Sequence, residues 1–249
     1  MMGAVSPAFR ALLPDPARPV EDLEDWYAAA GPLVRAGFVQ SCDGAVSVGG
    51  RSDPLSGPAD KAVFRALRAV SDAVLVGAGT VRAEDYGPVR LGPAGLRWRA
   101  AAGRAEPPPL VVVTRSCALE PTARCFSGDV RTLVVTCGAA PSAAREGLAE
   151  VADVLVAGED DVDLPAMLRA LAGRGLAHVL CEGGPALLTD LLAAGLVDEL
   201  CLTVSPQLVG GAPALLTRGL PARVGLSTVH LLEADGALLW RLAVAHSAA

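Results

Sequence analysis

Apolar positions along the chain follow two rhythms: short continuous runs, and longer stretches in which they recur every three or four residues. The first continuous run, 33–39, reads as a strand that ends in Ser41-Cys42-Asp43-Gly44, where Asp-Gly signals a turn. Residues 45–48 read as its short continuation. Ser56-Gly57-Pro58 opens a helix, with Ser56 as a possible cap and Pro58 in the first turn. Across 59–69 the apolar positions Val63, Leu67 and Val70 keep helical spacing. Residues 72–77 form a second buried strand, followed by Gly79-Thr80 and a short helix. Further strands are expected at 110–113, 132–136, 151–157 and 178–181, with helices at 142–150, 164–174 and 185–194.

Continuous Val/Leu strands separated by helices predict a sheet buried on both faces. The tail changes rhythm: 200–204, 224–231 and 237–244 read as strands without helices between them, expected as antiparallel edge strands. Two stretches break the pattern. Residues 1–30 form an acidic, proline-dotted lead-in, expected to drape over the surface or a partner subunit, and 31–249 form one domain. Residues 92–109, rich in Gly, Ala and Arg and ending in three prolines, read as a long mobile loop. The fold class is therefore α/β, three-layered, with a mostly parallel mixed sheet flanked by helices and antiparallel strands at the C-terminus.

Composition narrows the function. The 249 residues are 52% hydrophobic and 19% charged, which excludes wholesale disorder. A net charge of −6 argues against nucleic acid as a partner, because phosphate neutralisation needs a basic surface. No stretch approaches the roughly 20 apolar residues of a membrane span, and no secretory signal opens the chain, so a cytoplasmic protein is expected. Cysteines 42, 117, 125, 137, 181 and 201 form no close pair, and histidines 178, 230 and 246 stand alone. Neither a metal site nor a disulfide framework is expected from that spacing.

Ligands in open α/β sheets sit beyond the carboxyl ends of the strands. Four such loops stand out. Gly77-Ala78-Gly79-Thr80 runs from strand into helix, where backbone N–H groups can approach a phosphate. Glu182-Gly183-Gly184-Pro185 does the same and sets a carboxylate at the end of a buried strand. Thr114-Arg115-Ser116 places a cation between two hydroxyls, which suits a monophosphate such as the 2′-phosphate of NADP, although such a trio is common on plain surfaces. Ser41 and Asp43 share the fourth turn. No nucleophile elbow, zinc-binding helix motif or phosphate-loop lysine is present, so the chain is suited to hold a cofactor that carries the chemistry.

Together and in this order these loops resemble the reductase domain of the riboflavin-biosynthesis deaminase–reductase family, whose fold is like dihydrofolate reductase. The matching pieces are Ser41-Cys42-Asp43-Gly44, Leu67-Arg68-Ala69 with Asp72-Ala73, Val76 to Val81, and Glu182 to Pro185 running on to Gly195 through Leu200. Pro206 and Leu208-Val209-Gly210-Gly211 also match, and the resemblance covers residues 33–215. It implies NADPH as cofactor, contacted by Val39, Gly77, Gly79, Thr80, Glu84, Gly183, Gly184 and Pro185, with Ser116 beside Arg115 and Thr114 facing the adenosine phosphate. It implies that Ser52, Arg68, Arg90 and Glu182 face a ribosylaminopyrimidine phosphate. Hydride would pass to the ring-opened imine of 5-amino-6-(5-phosphoribosylamino)uracil, with Asp43 or Glu182 arranging the proton. A homodimer is implied as well. Two positions depart from the family pattern: Gly37 stands where a lysine is usual, and Asp85-Tyr86-Gly87-Pro88 replaces an aspartate-proline. Reduction of dihydrofolate, a pteridine or another imine, and NADPH binding without turnover, remain alternatives.

Overall fold

The computed structural model describes residues 7–104, 107–211 and 213–245. His246, the first six residues of the lead-in and residues 105–106 of the expected loop lie outside that set. The strands are β1 (Arg10–Leu13), β2 (Leu33–Ser41), β3 (Ala73–Gly77), β4 (Leu110–Val113), β5 (Leu133–Thr136), β6 (Asp153–Val156), β7 (His178–Gly183), β8 (Glu199–Ser205), β9 (Leu226–Ala234) and β10 (Ala237–Val244). The helices are α1 (Leu23–Tyr27), α2 (Pro58–Val70), α3 (Ala78–Glu84), α4 (Pro93–Ala101), α5 (Ser142–Ala149), α6 (Leu164–Ala172) and α7 (Pro185–Ala193).

All ten strands join one sheet in the order β1-β9-β10-β8-β2-β7-β3-β4-β5-β6. Pairing is parallel from β8 through β6 and antiparallel among β1, β9, β10 and β8. The period-2 alternation of strand side chains sorts the core into two layers. Val74, Val76, Leu110, Val112 and Leu180 pack on one face against Val63, Ala66, Leu67 and Val70 of α2. Ala73, Leu75, Val111, Val135 and Cys181 pack on the other against Met167 and Leu171 of α6 and Leu188 and Leu191 of α7. Burying each such Val, Leu or Met side chain is worth roughly 1.5–3 kcal/mol. The expected three-layer α/β architecture is the observed one.

Four local expectations are corrected. Strand β8 is not an edge: it lies inside the sheet, parallel to β2 on one side and antiparallel to β10 on the other. Residues 45–48 do not extend β2 as a strand; Ala45 and Val48 make only isolated bridges. The segment 92–109 carries α4, which packs Trp98 against the core but is otherwise anchored by polar and small contacts. Arg99 donates from Nη1 to the carbonyls of Ala69 and Ser71 at the end of α2, and a Cβ added at Gly95 would lie 3.0 Å from Ala69 Cβ. Ser56 does not cap α2: Gly57 is the N-cap residue, and the Ser56 hydroxyl bonds the Asp60 side chain instead. Within the lead-in, β1 adds an antiparallel edge to β9, and α1 buries Trp26 and Tyr27.

Five cysteines are buried thiols and Cys42 is exposed. Among the described residues, no helix is long and apolar enough to cross a membrane, and no group of three His, Cys, Asp or Glu could hold a metal ion.

Candidate active site

A cleft of about 950 Å³ opens beyond the carboxyl ends of β2, β7 and β3, the place where an α/β sheet binds ligands. Three chain features shape it. Strand β7 carries a bulge: Leu75 faces Cys181 and Val76 faces Gly183, so Glu182 is the unpaired extra residue. A bulge re-aims a side chain, and Glu182, with a 3% exposed side chain, is a lining residue of the cleft.

Gly183 follows at φ +131°, a conformation that favours glycine, and the Gly183–Gly184 peptide is cis. A Cβ at Gly184 would lie 2.7 Å from Thr80 Oγ1, and one at Gly77 would lie 3.7 Å from the Gly184 nitrogen. Two glycine-bearing strand exits therefore meet backbone to backbone, leaving a cradle that side chains would fill.

The third feature ends α3. Asp85 takes the left-handed conformation at φ +49°, and the Tyr86 N–H bonds back to the Val81 carbonyl at 3.0 Å. This turn brings Tyr86 to Glu182. Arg68, from the last turns of α2, donates through Nε to Glu182 Oε1 at 2.7 Å and through Nη2 to Oε2 at 2.6 Å. The Tyr86 hydroxyl also donates to Oε2, and Arg68 Nη2 lies 3.1 Å from the Tyr86 oxygen. Burial, which alone would lower the Arg68 pKa, is outweighed by the Glu182 carboxylate, so the guanidinium is held charged. Burial first, then the same carboxylate, raise the Tyr86 pKa well above its usual value. The cluster is a bidentate ion pair with a phenol locked in its protonated form.

Most residues singled out in the sequence converge here. Val39, Gly77, Gly79, Thr80, Glu84 and the run Glu182–Pro185 line the cleft, and so do Ser52, Arg68 and Arg90. Glu84 Oε1 accepts the Ser52 backbone N–H at 2.7 Å, tying the two sides of the cleft mouth together.

Four residues are placed outside the lining. Asp43 accepts from Ser41 Oγ at 2.5 Å and from the Gly210 N–H at 2.7 Å, with the Val209 N–H at 3.1 Å. Those bonds, the Ser41 hydroxyl foremost, hold its pKa at about 2, so it is an ionised tether between two loops. Thr114 accepts the Cys117 N–H at 3.1 Å, and Ser116 accepts the Ala118 N–H at 3.4 Å. Arg115 Nε reaches the Asp160 carbonyl at 3.2 Å.

Sequence reasoning did not assign roles to Tyr86, Asp60, Lys61 and Arg65, which also line the cleft. Tyr86 had a visible signal, since it stands at a departure from the family pattern. Arg65 had one too, lying one helical turn before Arg68.

The cradle suits a dinucleotide. Its glycines admit close backbone approach, and the nine-residue helix α7 starts there with N–H groups free for an anion. Residues 32–238 match the RibD C-terminal domain family. Over 182 residues, 72% of this chain and 83% of the relative, the sequence is 36% identical to a 2,5-diamino-6-ribosylamino-4(3H)-pyrimidinone 5′-phosphate reductase of Archaeoglobus fulgidus. It is 33% identical over 186 residues to the reductase of the same name from Methanothermobacter thermautotrophicus, covering 74% and 82% of the two chains. Among solved structures, a pyrimidine reductase-like protein from Corynebacterium diphtheriae superposes with TM-score 0.77 and 28% identity over 87% of this chain and 93% of that one. A cleft at the sheet's switch point, a glycine cradle beside it and this breadth of similarity agree: the chain belongs to the RibD C-terminal domain family and is an oxidoreductase.

Proposed function

We propose that the protein is an NADPH-dependent reductase of a ribosylaminopyrimidine 5′-phosphate, reducing the ring-opened imine of the ribose to the ribityl amine. The observation that carries this reading is the adjacency of the glycine cradle to the Arg68–Glu182–Tyr86 cluster within one cleft. When bound, the nicotinamide supplies a hydride. Gly77, Gly79, Thr80, Gly183 and Gly184 hold the dinucleotide, and Val39 and Pro185 border it. Glu84 fixes the loop that carries Ser52. The protein's own contribution is alignment at reacting distance and a fixed set of charges around the reacting bond.

Arg68 is committed to Glu182, so the substrate's phosphate falls to other cations. Arg65 and Arg90 are exposed in the cleft wall, and no ion pair involves either of them among the described residues. A guanidinium fork matches phosphate oxygens. The Arg115–Ser116 hydroxyl–cation pair receives the 2′-phosphate of NADPH. Names of the archaeal relatives favour the 2,5-diaminopyrimidinone over the deaminated uracil as substrate.

The test is NADPH and NADH binding to the purified protein, followed by NADPH oxidation with the diaminopyrimidinone, the uracil and dihydrofolate in parallel. Preferred NADPH binding and turnover of a ribosylaminopyrimidine alone support the reading. Turnover of dihydrofolate alone, or no cofactor binding, overturns it.

A further inference from the structure

Reduction of an imine consumes a proton as well as a hydride, and neither carboxyl expected to arrange that proton is placed to give one up. Asp43 is an ionised tether outside the cleft, and both oxygens of Glu182 are taken by Arg68 and Tyr86. Of the other carboxyls in the cleft lining, Glu84 holds the Ser52 N–H and faces Arg51, and Asp53 pairs with Lys61, which leaves Asp60. We propose that Asp60 holds the reaction's proton and that the Ser56 hydroxyl relays it into the cleft to the substrate nitrogen. This rests on the imine-reductase reading above.

Asp60 stands in the first turn of α2 and is 1% exposed. One oxygen, Oδ2, accepts from the Ser56 hydroxyl, and Ser56 is half-buried at the cleft wall, so that rotation of its hydroxyl toward the cleft leaves Oγ free to accept the acid proton from Oδ2. The other, Oδ1, is sealed from solvent without a hydrogen-bond partner. An ionised carboxylate with a sealed, unbonded oxygen is costly, whereas the neutral acid is tolerated. The groups around it do not reverse this. Lys61, its neighbour on α2, is engaged by Asp53 at 2.9 Å. Thr203 approaches from β8, Glu182 from β7 and Tyr27 from α1. Burial raises the Asp60 pKa, with the Glu182 charge adding to it and the Ser56 and Thr203 hydroxyls and Lys61 opposing.

The step balances as follows. Hydride from the reduced nicotinamide forms the new C–H bond at the imine carbon, and the C=N π pair moves onto nitrogen. Nitrogen takes the Ser56 hydroxyl proton as Ser56 takes the proton of Asp60. The Asp60 carboxylate regains a proton from water once the product leaves the cleft. The cofactor is oxidised, the imine is reduced, and one solvent proton is consumed per turnover.

The experiment compares the pH dependence of kcat in wild type, Asp60→Asn and Ser56→Ala, with NADPH affinity measured in each. General acid catalysis is worth about 10²–10⁴-fold. Wild type is expected to show an alkaline fall in kcat; Asp60→Asn is expected to slow kcat at least 100-fold at neutral pH, to lack that fall, and to bind NADPH within about twofold of wild type. Ser56→Ala is expected to slow kcat at least tenfold and reports by itself if Asp60→Asn does not fold. A merely structural Asp60 would lower stability and leave the pH profile of the folded fraction unmoved. Wild-type kcat with an unchanged alkaline limb in Asp60→Asn, or in Ser56→Ala where that alone folds, overturns this inference alone. A wild type inert toward every ribosylaminopyrimidine overturns the reading beneath it and this step together.

Discussion

Two arginine–carboxylate clusters are built on the strands either side of β2, Glu199 on β8 and Glu182 on β7, and they serve opposite ends. In the core, Glu199 of β8 accepts from Arg35 Nε and Nη2 at 2.8 and 2.6 Å, and from Arg241 Nε and Nη2 at 3.0 and 2.7 Å. Its carboxylate pKa is lowered, since burial, which raises it, is overcome by the two guanidinium groups. Arg241 also donates to the Trp26 carbonyl at 2.7 Å, so the cluster ties α1 to the sheet. At the cleft, Glu182 has a single arginine, a phenol and an open side. The arginines differ in exposure, 3% for the Arg35 side chain and 25% for that of Arg68, while both carboxylates are nearly buried, Glu199 at 11% and Glu182 at 3%. The cleft cluster is open on its arginine side. An ion pair left open on one face is free to act on whatever enters there.

The same substitution in both clusters separates their roles. Glu199→Gln leaves two buried guanidinium groups without a counter-charge, a change expected to cost about 3–5 kcal/mol. Urea unfolding should show it as a lower midpoint with an unchanged slope, while NADPH affinity of the folded protein stays close to wild type. Glu182→Gln breaks a bidentate pair whose carboxylate is 3% exposed, but the one guanidinium it releases is 25% exposed and can be hydrated from the cleft, so its stability cost should be smaller, about 1–3 kcal/mol. Its effect belongs to the reaction: kcat/KM for the pyrimidine is expected to fall about 100-fold, or about 2.7 kcal/mol. Equal losses of stability in the two variants would erase the distinction.

The two regions were also unequally legible from the sequence. The sheet's parallel half could be read because β3, β4 and β5 are unbroken Val/Leu runs, and α2 spaces Val63, Leu67 and Val70 along one face. Helix α4 escaped because its buried residues are Arg99 and Gly95, and the single apolar side chain it packs on the core, Trp98, makes no rhythm. The inward position of β8 depends on β10 and β9 stacking outside it, a tertiary fact absent from local pattern. At the site, Glu182 and the glycines announced themselves as strand-exit residues. Asp60 did not, for a carboxylate in the first turn of a helix is ordinary surface chemistry until burial makes it otherwise. The core cluster was missed altogether: Arg35, Glu199 and Arg241 are far apart in the chain, and only the β2–β8–β10 pairing joins them.

The last test concerns the core cluster's surroundings. His230 of β9 is 3% exposed, lies edge-on to Trp26 at 5.1 Å and Tyr27 at 5.0 Å, and has no partner for Nε2. Burial, and then the Arg241 charge, push its pKa down to about 3. In the unfolded chain it titrates near 6.5, so between those values the unfolded state binds the extra proton. Stability attributable to His230 is therefore complete above pH 6.5 and declines as the pH falls toward 3. Each pH unit below 6.5 costs about 1.4 kcal/mol, giving about 2 kcal/mol by pH 5. Glu199 does not interfere in that window, because its pKa is lowered on folding and its ordinary value is 4.5. His230→Leu should flatten the dependence of unfolding free energy between pH 7 and pH 5 by that amount. The Glu182 cluster, which contains no histidine, leaves this slope unchanged in Glu182→Gln. If His230→Leu kept the wild-type slope, the imidazole would be charged inside the core and the neutral packing against Trp26 and Tyr27 would be the wrong account of it.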